Sequence, residues 1–373
     1  MIHDVIVIGA GMAGASTAFE LSSEASVLLL EAETQPGYHS TGRSAALFTR
    51  NYGSPLVRRI NALSEPFFRD PPAGFIEGPL LHRRGAVAVA SPGSEDRLDA
   101  LLTAGTTDDP VGEISCADAL AMIPFLRPER VARAVTEPGV TDIDVASLLQ
   151  AYLRGFRARG GLIATSARIT ALARVGGVWA VTAGGVTHRA PTVVNAAGAW
   201  ADAVGAMAGA APIGLVAKRR TAIVIDAPTG VDVAALPCVD FVATDAYIKP
   251  EAGKLMASPG DATPDVAQDV RPDEMDIAVL ADWIGRETTI EVRRISHSWA
   301  GLRSFVPDEG PVVGRAPEID GFVWNAGQGG YGIMMAPTLA RAAAAACFDR
   351  GLPDDMAAAG LRFEDLSSDR MRR

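Results

Sequence analysis

The first residues of the chain carry glycines and an acid whose spacing could bind a nucleotide. Gly9, Gly11 and Gly14 follow an apolar run at 4–8, and Glu31 ends a second apolar run. In a strand–helix turn of this kind, the first glycine permits the tight turn and the second lets the backbone approach a pyrophosphate, while the third lets the helix pack on the strand. The acid is placed to accept hydrogen bonds from an adenosine ribose. We therefore predict a dinucleotide site.

The acid at position 31 also bears on which dinucleotide binds. A carboxylate there repels a 2′-phosphate, so NADP is not expected. The glycine pattern alone does not choose between NAD and FAD. The alternative is a tight turn with a purely structural role that binds no ligand, but the ordered set of strand, glycines, helix, strand and acid argues against it.

Composition excludes several classes of protein. The chain has 373 residues with a net charge of −10, and 48% of them are hydrophobic, which is enough for a large core and two lobes. No run of Lys or Arg could track a phosphate backbone, so we expect no nucleic-acid partner. The three cysteines form no CxxC pair and the five histidines never fall at ligand spacing, so neither a disulfide framework nor a metal is expected.

The apolar N-terminus does not have the form of a signal peptide, because it lacks a basic leading region and is broken by glycines. The Ala-rich stretch 336–348 is too short and too polar to span a bilayer. We expect a cytoplasmic protein without a transmembrane segment, and peripheral membrane association stays open.

The remaining pattern alternates between strands and helices. A polar loop at 35–44 leads into an expected helix around 44–48, and Asp144 is a suitable N-cap for a helix at 145–157. A glycine loop at 327–332 precedes an expected terminal helix at 336–349. The alternation predicts an α/β fold of two interleaved lobes.

The cluster PGYHSTGRSAA at 36–46 favours FAD. Here the chain resembles the D-amino acid oxidase family of flavoenzymes, which includes glycine and sarcosine oxidases, and within it the D-amino acid dehydrogenases that prefer arginine. Ordered motifs over nearly the whole chain carry the resemblance: NYG at 51–53, PPAGF at 71–75, DID at 142–144, VNAAGAW at 194–200, KRR at 218–220, YIKP at 247–250, WAGLRSF at 299–305 and QGGYGI at 328–333.

The resemblance implies a Rossmann-like FAD-binding domain interleaved with an α+β substrate-binding domain that contains a mixed sheet. The first would comprise residues 1–78, 142–205 and 300–373, and the second residues 79–141 and 206–299. Covalent members of the family tether the flavin through a cysteine soon after the WAGLR-like motif, and this chain has none there. We therefore expect non-covalent FAD.

The resemblance also assigns cofactor residues. The ADP half would contact Gly9, Gly11, Ala13, Gly14 and Glu31, and the pyrophosphate and flavin would contact Ser40, Thr41, Arg43, Ser44, Ala45 and Ala46. Ile169 would hold the adenine through its backbone, with Gly198 and Trp200 as further contacts. The segment Gly329, Gly330, Tyr331, Gly332, Ile333 and Met334 would wrap the flavin, placing a helix N-terminus near its pyrimidine oxygens, where the helix dipole stabilises negative charge.

For the substrate, the resemblance implies that Arg220 and Arg303 grip an α-carboxylate. Tyr52 and Tyr247 would add hydroxyl donors, and Gly330 would offer its backbone carbonyl to the amine. Guanidinium binds carboxylate bidentately and remains charged at any working pH. A hydride passing from Cα to flavin N5 requires a neutral amine and close approach, but no protein base.

Two departures bear on the side chain of the substrate. Ala86 stands where the arginine-preferring relatives have a glutamate, and Leu47 stands where they have a histidine. A buried cation without its carboxylate costs several kcal/mol. We therefore expect neutral, apolar D-amino acids, while Arg50, Arg83 and Arg84 leave acidic side chains open.

The expected reaction is oxidative deamination of a D-amino acid to an imino acid, which water hydrolyses to the 2-oxo acid and ammonia. Met256 stands where sarcosine-type oxidases carry a lysine that helps to activate oxygen, with Lys254 two residues earlier. This favours a dehydrogenase that passes electrons to a quinone or another carrier. The alternatives are oxidation of an N-methyl or cyclic secondary amino acid, oxidation of a 2-hydroxy acid, and a catalytically silent flavoprotein.

Overall fold

A computed structural model describes residues 2–372 of the chain. The strands within this range are β1 (Val5–Ile8), β2 (Val27–Leu30), β3 (Leu47–Phe48), β4 (Leu81–Arg83), β5 (Ala86–Ala90), β6 (Gly112–Ile114), β7 (Arg133–Glu137), β8 (Thr141–Ile143), β9 (Leu162–Ala164), β10 (Ile169–Val175), β11 (Val178–Ala183), β12 (Val186–Ala190), β13 (Thr192–Asn195), β14 (Val216–Ile225), β15 (Cys238–Phe241), β16 (Ala246–Glu251), β17 (Lys254–Ser258), β18 (Thr263–Asp265), β19 (Ile295–Phe305), β20 (Val312–Arg315) and β21 (Phe322–Ala326).

The α-helices in the same range are α1 (Met12–Leu21), α2 (Pro55–Arg69), α3 (Leu98–Ala104), α4 (Cys116–Met122), α5 (Val145–Ala158), α6 (Ala201–Ala208), α7 (Glu274–Glu287), α8 (Gly332–Cys347), α9 (Asp354–Ala358) and α10 (Phe363–Leu366). No helix in the described part of the chain is long and apolar enough to cross a membrane.

The first large sheet has the strand order β20-β21-β13-β1-β2-β9 and is parallel except for β20. Every residue of β1 and β2 is buried, as expected for parallel strands that are covered on both faces. Helices α1, α5 and α8 share one core with this sheet. The small sheet β10-β11-β12 and α6 share the core on its other face. The predicted Rossmann-like α/β unit is confirmed.

The second large sheet has the order β18-β14-β17-β16-β15-β5-β7-β6, with β19 paired along β14. All its pairs are antiparallel except β5 with β15, so the sheet is mixed as predicted. Because side chains alternate across a strand, Val87 and Val89 join a core that includes residues of α4 and α7. Ala86 and Ala88 therefore lie on the opposite face, which borders the site described below.

The glycine turn after β1 is held by backbone contacts that leave no room for side chains. Gly9 adopts a φ of +96°, in the left-handed region that favours glycine. A Cβ added to Gly14 would lie 1.8 Å from the carbonyl oxygen of Gly9. The first turn of α1 thus presses directly on the turn that precedes it.

Two expected elements differ in the structure. The helix expected around 44–48 is wrong: a 3₁₀ turn at Ser40–Arg43 is followed by extended chain, and β3 pairs with β8. Pairing with a distant strand overrides the local preference. The terminal helix begins at Gly332 instead of Ala336, so part of the expected glycine loop is helical. The Asp144 cap is confirmed, since its side chain accepts a hydrogen bond of 2.9 Å from the Ser147 amide.

We keep the expected division into two domains as a proposal. β19 spans Ile295–Phe305 and so crosses the expected boundary at 299–300, while all ten of its ladder partners lie on β14. We therefore propose that the boundary follows Phe305. Positions 1 and 373 of the expected ranges lie outside the described residues.

Two helical glycines allow a matched test of the α1 contact. Gly14→Ala should destabilise the protein by about 1–3 kcal/mol or more, because its Cβ meets backbone that cannot move aside. Gly285→Ala, in α7 with nothing within 4 Å of the added Cβ, should stabilise by about 0.5–1 kcal/mol. Urea unfolding of the two variants measures both. Equal stability of Gly14→Ala and the wild type would contradict the close contact.

Candidate active site

A cavity of about 980 Å³ joins the two large sheets. At one end it is bordered by the loops that follow β1 and β2, which is where parallel sheets bind nucleotides. At the other end it is bordered by the face of the second sheet that carries Arg220 and Tyr247. The cavity therefore brings most of the sequence-predicted residues into one continuous space.

Its nucleotide end fits a dinucleotide. The α1 N-cap is Gly11, with no side-chain cap and no acid in the first turn, so this helix start is open to an anion. The hydroxyl of Thr41 accepts a hydrogen bond of 3.0 Å from the Met12 amide. Glu31 accepts hydrogen bonds from the amides of Ala10 (2.8 Å) and Glu33 (2.9 Å), and it lines the cavity. Its carboxylate thus holds the turn in shape as well as facing the ligand space.

Ile169, Gly198 and Trp200, which the sequence predicts as cofactor contacts, also line the cavity. The Trp200 ring lies 4.6 Å from the His39 ring, centre to centre. Gly198 has a φ of +56° and open space where a Cβ would be. These three residues come from β10 and from the 3₁₀ turn after β13.

The segment 40–46 lines the cavity, but part of its polar surface is used by the protein itself. The Ser40 hydroxyl donates to the Leu302 carbonyl at 2.6 Å. The Arg43 guanidinium donates to the carbonyls of Val270 (2.9 Å) and Ala300 (3.0 Å) and pairs with Asp269. Arg43 therefore fastens this segment to the second sheet, so its charge is committed to protein groups.

Residues 44–46 of the segment are held in place by hydrogen bonds to the protein. Ser44 accepts a hydrogen bond of 3.1 Å from the amide of Ala46, and the Ala45 carbonyl accepts one of 3.0 Å from the buried amine of Lys249. Ala46 has a φ of +44°, an uncommon conformation for a residue with a side chain. The backbone of 44–46 is thus fixed against the cavity.

The glycine segment 329–334 forms the facing wall. A Cβ on Gly330 would lie 2.5 Å from the Arg303 guanidinium, so a side chain at position 330 would displace this arginine from its present position. The ring of Tyr331 packs edge-on against Tyr52 with centres 5.0 Å apart. α8 begins at Gly332 with no acid in its first turn, which leaves a positive helix end beside the cavity.

Arg220 and Arg303 lie on neighbouring strands and on the same face of the second sheet. In the β14–β19 ladder Lys218 pairs with Arg303 and Arg220 pairs with Gly301, so the two arginines are close neighbours. Arg219 points to the opposite face, where it pairs with Asp276 at 2.9 Å. Both Arg220 and Arg303 line the cavity.

The Arg220 guanidinium has only a long ion pair with a protein carboxylate. Its Nε is buried with no hydrogen bond and lies 3.9 Å from the Asp261 carboxylate. Burial lowers the pKa of Arg220, and the positive charge of Arg303 lowers it further. Burying two like charges side by side is costly unless an anion joins them. The pair is therefore a prepared anion site.

The predicted tyrosines border the same space. Burial raises the pKa of Tyr247, and burial raises that of Tyr331 to about 12. Both phenols therefore stay protonated near neutral pH and can donate hydrogen bonds. Tyr52 lines the cavity with 45% of its surface exposed, at the outer rim.

Sequence reasoning missed two carboxylates that line the cavity, Asp240 and Glu137. Burial, followed by the charge of Glu137, raises the pKa of Asp240 to about 7. Burial also raises the pKa of Glu137, against hydrogen bonds from Thr49 and Asn51. The available signal was an aspartate inside an otherwise apolar strand, CVDF at 238–241.

The positions expected to shape the side-chain pocket, Leu47 and Ala86, also border the cavity, whereas Arg50, Arg83 and Arg84 are not among its lining residues. Arg50 pairs with Glu65, and Arg84 pairs with Asp142 at 2.6 Å. The three arginines that would favour a substrate with an acidic side chain therefore do not line the cavity.

Met256 lines the cavity as expected, and Lys254 is bonded elsewhere, to Asp226 (2.6 Å) and Ser296 (2.7 Å). The cysteines Cys116, Cys238 and Cys347 are free, and none is among the residues that line the cavity. Dissociable FAD stays a prediction.

Comparisons with known proteins agree with this architecture. A family model described as FAD dependent oxidoreductase matches residues 4–346. Mitochondrial sarcosine dehydrogenase of Mus musculus is 25% identical over 240 residues, which are 60% of this chain and 26% of that protein. The chain thus spans about a quarter of the length of this relative.

Two solved structures share the fold. Glycine oxidase from Geobacillus kaustophilus has a TM-score of 0.82 at 22% identity, covering 95% of this chain and 97% of that one. L-alpha-glycerophosphate oxidase from Mycoplasma pneumoniae, solved with FAD bound, has a TM-score of 0.84 at 20% identity, covering 93% of this chain and 95% of that one. The expected glycine oxidase type of fold is confirmed.

The raised pKa of Asp240 predicts a pH-dependent stability difference. A carboxyl whose folded pKa lies above its unfolded value stabilises the fold at low pH and loses that contribution as pH rises through the folded pKa. Asp240→Asn should therefore melt above the wild type at pH 8, and the gap should shrink as pH falls from about 7 towards 4. Melting temperatures across this range measure the gap, and a gap independent of pH would contradict the burial of this carboxyl.

Proposed function

The chain belongs to the FAD-dependent oxidoreductase family, and from this premise we propose that it oxidises the Cα–N bond of an amino acid, with a D-amino acid as the substrate. The observation that carries the proposal is Arg220, whose buried Nε makes no hydrogen bond, beside Arg303 in a cavity that continues to the nucleotide end. A carboxylate is the anion that suits this site, because guanidinium groups bind it in a bidentate, planar manner.

The residues present fit FAD. The open start of α1, the Glu31 carboxylate and the glycine turn would hold the ADP half, and the 44–46 backbone and the start of α8 would hold the flavin. When bound, FAD supplies an acceptor for two electrons and the Cα hydrogen. It needs no protein acid or base at that carbon.

The chain's own residues bind and orient the substrate. Arg220 and Arg303 would fix the carboxylate, and the Tyr247 hydroxyl, protonated at working pH, would donate to it. The Gly330 carbonyl, beside Arg303, would accept from the amine. With carboxylate and amine both fixed, the Cα–H bond has one orientation, which is the source of rate in a reaction that depends on approach geometry. The imino acid product hydrolyses in water to a 2-oxo acid and ammonia.

Several observations bear on the alternatives. Leu101 and Val111, which pack near β5 and β7, also line the cavity and support a substrate longer than glycine or sarcosine. The prepared arginine pair argues against a catalytically silent flavoprotein. The D configuration rests on the sequence resemblance. Met256, at the position where sarcosine-type oxidases carry a lysine, supports a dehydrogenase that uses a quinone or another carrier.

Flavin reduction without oxygen tests the proposal directly. The FAD-loaded protein should lose its visible flavin absorbance when mixed with a D-amino acid, and the L enantiomer should be much slower. The panel should also contain sarcosine, both prolines and 2-hydroxy acids, with a dye acceptor to follow turnover. A flavin that only the secondary amines or hydroxy acids reduce would overturn the proposal in favour of that class, and one that no member reduces would support a silent flavoprotein.

Neighbouring arginines provide a matched test of the carboxylate site. Arg220→Met and Arg303→Met should each lower kcat/KM by about 30-fold to 1000-fold, since a charge-assisted hydrogen-bonded pair is worth about 2–4 kcal/mol. Arg219→Met removes the same charge from the opposite face of the same strand and should leave kcat/KM within a few-fold. Steady-state kinetics on FAD-loaded protein measure all three. Equal effects of Arg219→Met and Arg220→Met would contradict the proposed role.

A further inference from the structure

We propose that this cavity selects an amino acid whose side chain ends in a cation, of lysine or arginine length, and that Asp240 and Glu137 bind that cation. The inference rests on the proposed function, because it assumes that the arginine pair holds the α-carboxylate of the same molecule. It names the substrate class and the two residues that would determine it.

The two carboxylates reach the cavity from strands on either side of β5. Asp240 on β15 pairs with Ala88, and Glu137 on β7 pairs with Ala86. Both alanines lie on the cavity face, so the strand between the acids contributes only methyl groups there. The small side chains leave space between the carboxylates, and that space belongs to the cavity.

Asp240 has no partner for its charge within residues 2–372. Only burial and the negative charge of Glu137 act on its pKa, with no donor and no cation among the causes. Two other buried acids are compensated: Glu65 pairs with Arg50 and Arg69, and Glu31 accepts two amide hydrogen bonds. An uncompensated buried carboxylate is costly, so its retention in a ligand cavity indicates a ligand that compensates it.

Glu137 is positioned with one oxygen occupied and one available. The Thr49 hydroxyl and the Asn51 amide, the latter at 3.0 Å, both donate to Oε1. These bonds fix the carboxylate while leaving Oε2 for a further donor. A guanidinium or ammonium group has enough donors to bridge Oε2 and the Asp240 carboxylate.

The separation of the charged groups selects the length of the ligand. Two strands, β17 and β16, lie between β14 and β15, which places the strands that carry Arg220 and Asp240 about 14 Å apart at three strand spacings. The long Arg220 side chain shortens this gap more than the short Asp240 side chain does. A ligand that joins both sites therefore has a carboxylate at one end and a cation several methylene groups away.

This arrangement argues against the apolar preference expected from Ala86. That expectation assumed that a carboxylate for a cationic side chain must come from position 86 itself. In the sheet, the residues paired with positions 86 and 88 supply carboxylates to the same region. In this chain the carboxylates lie on the strands beside β5, next to the small side chains of Ala86 and Ala88.

A pair of probes separates the cation from the rest of the ligand. 6-Aminohexanoate and hexanoate both offer a carboxylate to the arginine pair, and only the first carries a distal ammonium. The FAD-loaded wild type should bind 6-aminohexanoate at least about tenfold more tightly, as expected for a hydrogen bond between charged groups. Titrations followed by calorimetry and by the flavin spectrum measure the ratio.

Variants assign the preference to the two acids. Asp240→Asn and Glu137→Gln should each bring the ratio of affinities close to one while hexanoate binding is retained. Asp282→Asn removes the same charge from an exposed position on α7 and should keep the wild-type ratio. Retained FAD absorbance and melting temperature show that each variant is folded. A wild-type ratio near one, or a ratio that survives both substitutions, overturns the inference.

Turnover gives a second readout. D-Lysine and D-norleucine differ by the terminal amine, and kcat/KM should favour D-lysine in the wild type and lose that preference in Asp240→Asn. Equal or better kcat/KM for D-norleucine in the wild type overturns this inference and leaves the proposed function standing. Failure of both probes to bind, with no amino acid reducing the flavin, overturns the proposed function and this inference together.

Discussion

Two positive charges held side by side, with one protein carboxylate only at the long distance of 3.9 Å from Arg220, are the constraint on which the site depends. Arg220 and Arg303 repel each other, and burial makes that repulsion stronger. The fold keeps them together through the ladder between β14 and β19, the most extensive strand pair of the second sheet. The absence of a side chain at Gly330 leaves space for the Arg303 guanidinium. The free energy of the sheet thus offsets an electrostatic cost that a bound carboxylate would relieve.

Much of this was predictable from sequence because it depends on local rules. A turn with glycines at 9, 11 and 14 has few structural solutions, and strand alternation separates Arg219 from Arg220 without any knowledge of the fold. The α5 cap followed from one aspartate and a periodic apolar run. Arg220 and Arg303 were predicted from a family resemblance, because a family's motifs mark residues that its fold brings together.

What sequence could not give depends on pairing between distant strands. Asp240 and Glu137 are about a hundred residues apart, and only the order β15-β5-β7 brings them together. The extended conformation at 47–48 likewise follows from pairing with β8 and not from local propensity. Arg43 had the right type and place for a phosphate contact, and its commitment to carbonyls of the second sheet depends on where that sheet lies.

The bonds of Arg43 and Ser40 have a mechanical consequence. Both residues belong to the segment beside the cofactor space, yet their donors end on carbonyls of β19 and of the 270 region. Together with the Lys249 bond to Ala45, these hydrogen bonds connect the nucleotide half to the substrate half. Rotation of one half against the other would have to break them. We therefore expect substrate entry and product release to depend on small movements at the rim of the cavity, where Tyr52 is exposed. The two halves would keep their relative positions during these movements.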